Sequence, residues 1–151
     1  MGWREWPALP DLGIPAVKAK VDTGARSSIL HASGITPFKK KGRRWVQFFV
    51  RPLQRDARVV IKAEGRVVDR RNFRSSHGHT ELRYVIRTRI RLEGRLWNTD
   101  LALANRDEMG FRMLLGRATV RERFTVDPGG SFLLGKPKVK ALYKDMRGPK
   151  K

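Results

Sequence analysis

The longest regular pattern in the chain runs from Leu82 to Leu92, where Leu82, Tyr84, Ile86, Ile90 and Leu92 interleave with Arg83, Arg87, Arg89 and Arg91. A period of two puts these sets on opposite faces of a strand, one apolar and one cationic. Glu93-Gly94 supplies a turn, and Arg95 to Leu103 reads as the returning strand. Trp45 to Val50 is a further strand, ended by Pro52. Arg58 to Ile61 and Gly65 to Val68 suggest another hairpin. Nearer the start, Trp6 to Leu9 and Ile14 to Val21 read as strands joined by a turn at Pro10-Asp11-Leu12-Gly13. Met113-Leu114-Leu115 is a short buried run that Gly116 terminates. Ala118 to Phe124 predicts a short helix, and Ser131 to Leu134 a closing strand. The sum is a mainly β chain with one short helix, suited to a small closed barrel or a sandwich. From Lys136 the pattern gives way to Lys, Pro and Gly. Residues 1–135 therefore read as the domain, and 136–151 as a basic tail, mobile at its end.

Composition sharpens this picture in one respect. The chain of 151 residues carries 34 Lys and Arg against 14 Asp and Glu, a formal charge of +20. Such a field attracts polyanions in a salt-dependent way, whether nucleic acid, acidic peptide or anionic membrane, and charge alone does not choose among them. With 40% apolar residues the chain can bury a core. There is no cysteine, which excludes disulfides and thiolate metal sites and fits a reducing, cytoplasmic setting. No basic segment followed by an apolar run marks a signal peptide, and no run of apolar residues is long enough to predict a membrane helix.

The candidate chemistry lies at Val21-Asp22-Thr23-Gly24-Ala25. An apolar strand would deliver Asp22 at its end, Gly24 would permit a tight turn, and the Thr23 hydroxyl could lock it. One aspartate held this way is half a device. Two such carboxylates within ~3 Å cannot both ionise, so they share a proton. The charged one can take a proton from water as that water attacks a peptide carbonyl, while the neutral one donates to the carbonyl oxygen. By itself the tripeptide is also compatible with an ordinary turn.

Three further stretches narrow the choice. Asp22-Thr23-Gly24-Ala25-Arg26-Ser27-Ser28 with Leu30-His31-Ala32, then Arg83 to Thr88, then Met113 to Arg117 and Phe124-Thr125-Val126-Asp127-Pro128, occur in this order. Together they resemble the signature of bacterial retropepsin-like proteins often labelled ATP-dependent zinc proteases. The likeness spans Trp3 to Gly135 and implies a retropepsin-like closed β-barrel. It makes Asp22 the catalytic acid and base, Thr23 a brace across two subunits, and Gly24 the turn former. Leu115, Gly116 and Arg117 are expected to pack behind the turn. A substrate-covering flap is expected between Arg58 and Leu82, its tip within Arg70 to Thr80. Pepsin-like chains carry two Asp-Thr-Gly copies, whereas this one carries a single copy, so the resemblance requires a homodimer.

The label's zinc and ATP find no support in the residues, so no cofactor and no metal are expected. There is no His-Glu-x-x-His, and His31, His77 and His79 would need carboxylate help to hold a metal. Gly130 to Lys136 nearly copies a phosphate-binding loop, but Pro137 stands where the Mg²⁺-binding hydroxyl belongs. Some members of the family are similar to proteins associated with ligases that add glutamates to a ribosomal protein, and are thought to trim the poly-α-glutamate tails. Arg26, with Arg83 and His79, is then the expected substrate-binding set for an acidic peptide. Two non-catalytic alternatives remain open, a nucleic-acid or ribosome-binding module using the basic tail and Trp3, Trp6, Trp45 and Trp97, and a regulatory partner of a glutamate ligase.

Overall fold

The computed structural model describes residues 1–74, 78–105 and 110–146. Its strands are Arg4–Glu5 (β1), Ala19–Asp22 (β2), Ser28–His31 (β3), Ser33–Lys40 (β4), Arg43–Val50 (β5), Ile61–Arg74 (β6), Thr80–Leu92 (β7), Arg95–Ala104 (β8) and Met113–Gly116 (β9). Two single-turn helices follow, Arg117–Val120 (α1) and Val139–Leu142 (α2). The strands form one sheet in the order β1-β2-β9-β3-β8-β7-β6-β5-β4. Mainly β architecture is as expected; closure is not. Among the described residues β1 and β4 remain edges of the ladder. Pro7 follows two residues after the short β1, and β4 carries Pro37 and ends in Lys39-Lys40, residues that discourage further pairing at an edge.

The antiparallel run from β5 to β8 follows directly from alternation. Val46, Phe48 and Val50 on β5, Ile61 and Ala63 on β6, and Ile86, Ile90 and Leu92 on β7 are buried in one apolar cluster. That cluster also takes Leu30 from β3, Leu101 and Leu103 from β8, and Met113 and Leu115 from β9, so both halves of the sheet share it. Arg87, Arg89 and Arg91 face outward, as their spacing requires. Arg89 donates to Asp11 at 2.8 and 2.6 Å, pinning the one-turn 3-10 segment Pro10–Leu12 against β7. Its hydrogen bonds and charge hold the Asp11 carboxyl below the usual carboxylate range. At this exposure the pair adds little stability.

Several local expectations change for physical reasons. The hairpin expected from Arg58 to Ile61 and Gly65 to Val68 is instead one continuous strand from Ile61 on, β6, and inside it a Cβ at Gly65 would sit 2.7 Å from Ile86 Cδ1, so the glycine makes room for a core side chain. The strand expected over Ile14 to Val21 is regular only in β2, with Ile14 making an isolated bridge to Leu9. The helix expected to reach Phe124 stops at Val120, and Glu122 takes φ +68°. Ser131 to Leu134 forms no strand. Instead the N–H groups of Leu133 and Leu134 donate to the Glu5 carboxylate at 3.2 Å each, joined by Gly2 N–H at 2.6 Å. Glu5 is fully buried, and these donors satisfy it.

The start of the basic tail returns to the body. Tyr143, just after α2, is 0% exposed, accepts from the Ala16 N–H at 3.2 Å and donates to the Ala16 carbonyl. The part of the tail expected to be mobile, 147–151, lies outside the described residues. Burial pushes the Tyr143 phenol from 10.0 up to about 12, against an opposing contribution from the Ala16 backbone. Folding thus favours the neutral phenol: its contribution is complete below pH 10 and is lost as pH rises toward 12. The stability difference between wild type and Tyr143→Phe, from urea unfolding at pH 9 and at pH 11.5, should therefore shrink or reverse. An unchanged difference would mean that the phenol is not desolvated.

Candidate active site

The turn after β2 owes its shape to strand order. β2 and β3 are consecutive in sequence, yet β9 lies between them, parallel to β2 and antiparallel to β3. The loop 23–27 must therefore straddle the end of β9, where Asp22 stands opposite Gly116 in register. The Asp22 carboxylate is half-buried and Thr23 and Gly24 are exposed. Gly24 N–H donates to Asp22 Oδ1 at 3.0 Å, and Ala25 N–H to the Asp22 carbonyl at 3.2 Å. From the other side, the Arg117 and Ala118 N–H groups, at the start of α1, donate to the carbonyls of Ala25 and Arg26 at 2.8 and 3.0 Å. Arg117 Nη1 reaches the Gly24 carbonyl at 3.2 Å. Asp22, Thr23, Gly24, Gly116 and Arg117 are thus brought together. Leu115, paired with Val21 and fully buried, anchors the strand beneath them.

Behind the turn lies a buried hydroxyl network not anticipated in the sequence. Ser28 Oγ accepts from the Gly116 N–H at 3.0 Å and lies 2.5 Å from Thr119 Oγ1, which in turn is 2.7 Å from Thr99 Oγ1. Trp97 Nε1 donates to the Thr119 carbonyl at 3.1 Å. Hydroxyls can turn to donate or accept, so a chain of three locks β3, β8 and α1 without any charge. Single hydroxyls at Ser28, Thr99 and Thr119, 91 residues from first to last, leave no sequence pattern that would have gathered them.

β6 and β7 extend past their neighbours. The last β5 partner on β6 is Arg66, and the last β8 partner on β7 is Val85. Beyond these, the two strands continue as a free two-stranded ribbon, and Val68 is a bulge between the pairs Val67–Ile86 and Asp69–Val85. A bulge bends and twists a ribbon. This hairpin occupies the stretch in which the flap was expected, although 75–77 of its tip lie outside the described residues. Arg83 contradicts its expected place on an exposed arginine face. It is 3% exposed, stacked 4.6 Å from the Phe73 ring and bonded to Glu81 at 3.2 Å, while Leu82 is 54% exposed. The inversion begins where β8 ceases to pair with β7, so the core no longer dictates which face is apolar. His79 is exposed near the ribbon tip.

A cavity of about 290 Å³ adjoins the turn, lined by Arg26 and Ser27 from the loop, Arg71 from the ribbon, and Arg87 and Asp100 from β7 and β8. Arg26 is where the sequence placed it; neither Arg83 nor His79 lines this space. Arg71 was missed, although its register partner is Arg83. Among the described residues no group of three His, Cys, Asp or Glu is placed to hold a metal. The near phosphate loop has Leu133 and Leu134 N–H groups already engaged by Glu5, leaving no cradle for a phosphate there. The tryptophans are half-buried and packed within the chain: Trp3 on Phe111, Trp6 on Phe132, Trp97 on Phe124, and Trp45 beneath Lys40. Among the described residues no helix is long and apolar enough to cross a membrane.

Residues 1–137 match the RimB-like family, described as retropepsin-like aspartic endopeptidase RimB. The chain belongs to this family. Relatives of this RimB-like chain include proteins named probable alpha-L-glutamate ligase. That of Shewanella pealeana is 49% identical over 146 residues, and that of Parasynechococcus marenigrum 47% over 150, covering 95% and 97% of this chain. In each the match spans only 32% of the relative, so the chain corresponds to about a third of those proteins. A crystal structure of a Legionella pneumophila protein of unknown function superimposes with a TM-score of 0.73 at 30% identity, covering 88% of this chain and 95% of that one. The retropepsin-like assignment thus rests on family membership, while the open ladder is a feature of the described strands.

Proposed function

We propose that this RimB-like chain is a cytoplasmic aspartic endopeptidase that acts as a homodimer on acidic, poly-α-glutamate-like peptides. The observation that carries the reading is the Asp22 turn. A half-exposed carboxylate stands at a strand end, held by Gly24 N–H, on a loop bonded to α1 along its length. Such fixation suits a group that must meet a second carboxylate at short range. The sequence holds one Asp-Thr-Gly, so the second comes from another copy. With one proton shared, the charged Asp22 takes a proton from water as it attacks the peptide carbonyl. The neutral Asp22 of the second copy donates to the oxygen. The resulting gem-diol then collapses, returning a hydroxyl proton to that carboxylate while the first Asp22 passes its proton to the amine nitrogen as the C–N bond breaks. The pair titrates as a unit.

The choice of substrate is supported by charge and by kinship. A polyglutamate chain approaching two aspartates is repelled unless cations offset its charge, and Arg26 on the loop and Arg71 on the ribbon line the cavity beside the turn. The named ligases, whose chemistry joins glutamate, carry a counterpart of this chain as a third of their length. That favours a shared glutamyl substrate and a ligase association. The same names also leave a second reading, a non-catalytic module serving a ligase.

Mixing wild type with Asp22→Asn separates these ideas. If each site needs two aspartates and subunits exchange, hydrolysis of a glutamate peptide should fall as the square of the wild-type fraction. A linear fall would show that single chains act alone, and no hydrolysis by wild type would sink the peptidase reading.

A further inference from the structure

The cavity beside the turn draws residues from the loop after Asp22, from the ribbon and from β7, β8 and α1, and its arginines differ in how they are paired. Arg87 donates to Asp100 at 2.9 and 3.3 Å, so its charge is offset within the cavity wall. Arg71 is paired as well, giving its Nε–H to Asp69 at 2.6 Å, while its Nη1 makes, among the described residues, a long contact of 3.4 Å with Ser27 Oγ. Arg71 and Arg26 both line the cavity. Among the described residues Arg26 forms no ion pair. Two arginines, one on the loop after Asp22 and one on the ribbon, thus line one cavity together with the buried Val85. Planar, forked N–H donors set on two sides match a carboxylate better than a neutral amide, which would turn its own N–H₂ toward them.

We infer that the Arg26–Arg71 cavity is the specificity pocket for one acidic side chain of the peptide, with Arg71 the residue that reads its charge. The inference rests on the peptidase reading for its substrate, but it concerns recognition and can be tested without turnover. A carboxylate lying between the two arginines touches both the catalytic loop and the ribbon, so the charge on the peptide is sensed at the place where the chain must be held for hydrolysis. Arg71 is exposed and its ribbon lies beyond the core strands, so its replacement leaves the core contacts of β6 intact.

The test uses the full chain with Asp22→Asn, which cannot turn over, and compares tetraglutamate with tetraglutamine by calorimetry. The expected preference for tetraglutamate is about tenfold or more, the range for a charge-assisted, partly exposed carboxylate site. Adding Arg71→Gln or Arg26→Gln should cut that preference to under about threefold, and Arg71→Lys should restore part of it. Arg44→Gln removes the same charge from the exposed face of β5 and should leave the preference intact. In the active chain, the loss from Arg71→Gln should fall on KM more than on kcat. Preference surviving both arginine changes, an equal loss in Arg44→Gln, or failure to bind either peptide would overturn the inference. Absence of hydrolysis by wild type, with the binding preference present, would instead overturn only the peptidase reading.

Discussion

Asp22→Asn should lower kcat/KM for a polyglutamate peptide by at least about 10³-fold, since it removes the group that moves protons to and from the attacking water. The fold should survive. Gly24 N–H donates to Asp22 Oδ1, and the amide oxygen of asparagine accepts the same bond. The register of Asp22 with Gly116 uses backbone alone, so β2 and β9 should pair as before. The informative result is therefore a split: near wild-type far-UV circular dichroism, thermal midpoint and oligomeric state, with turnover gone. A ligase-partner module or a nucleic-acid module predicts instead that Asp22→Asn retains full function in whichever assay the wild type succeeds. Loss of turnover accompanied by loss of fold would be uninformative for a less conservative change, which is why asparagine is the variant to make. Retained turnover would remove Asp22 from the mechanism outright.

What could be read in the sequence divides along physical lines. The strands from Trp45 to Val50 and from Arg95 to Leu103, and the core half of β7, were legible because one face of each meets the core and alternation records it. The Asp22 turn was legible because its residue types are fixed by chemistry. Arg83 and Leu82 misled because the ribbon leaves the sheet after Val85, and from there the core no longer sorts side chains by polarity. The hairpin expected over Arg58 to Val68 misled because Lys62-Ala63-Glu64-Gly65 looks, in one dimension, like a break, whereas Gly65 stays in β6 and yields space to Ile86. The closing segment 131–134 and the Tyr143 anchor were hidden because their partners, Glu5 and Ala16, are more than 120 residues away. Nothing in local spacing predicts a contact of that length. The insertion of β9 between β2 and β3 could not be read from spacing, although the resemblance put Leu115 to Arg117 behind the turn, and it is what gives loop 23–27 its span.

That insertion makes Gly116→Ala the second change expected to have a large effect. Gly116 has ordinary extended dihedrals, φ −81° and ψ 167°, so its role is not conformational. It is a matter of approach: a Cβ at 116 would lie 2.5 Å from both the carbonyl carbon and oxygen of Ser27 and 2.6 Å from the Arg26 oxygen. These are backbone atoms of the loop that straddles β9, and no rotamer change relieves them. To admit a methyl group, the loop must rise or β9 must drop. Either movement strains the Gly116 N–H bond to Ser28 Oγ and the bonds from Arg117 and Ala118 to the loop carbonyls. Overpacking of this kind costs about 1–3 kcal/mol, and more where backbone must move. For a chain of this size that is a fall in Tm of roughly 3–10 °C. Activity should suffer beyond what stability explains, because a displacement near 1 Å at the reacting groups is worth about 10²-fold in rate. Gly110→Ala, where a Cβ meets nothing among the described residues within 4 Å, is the matched control and should be silent in both measurements. If Gly116→Ala were as stable and as active as that control, the close packing of loop 23–27 on β9 would not be what positions Asp22.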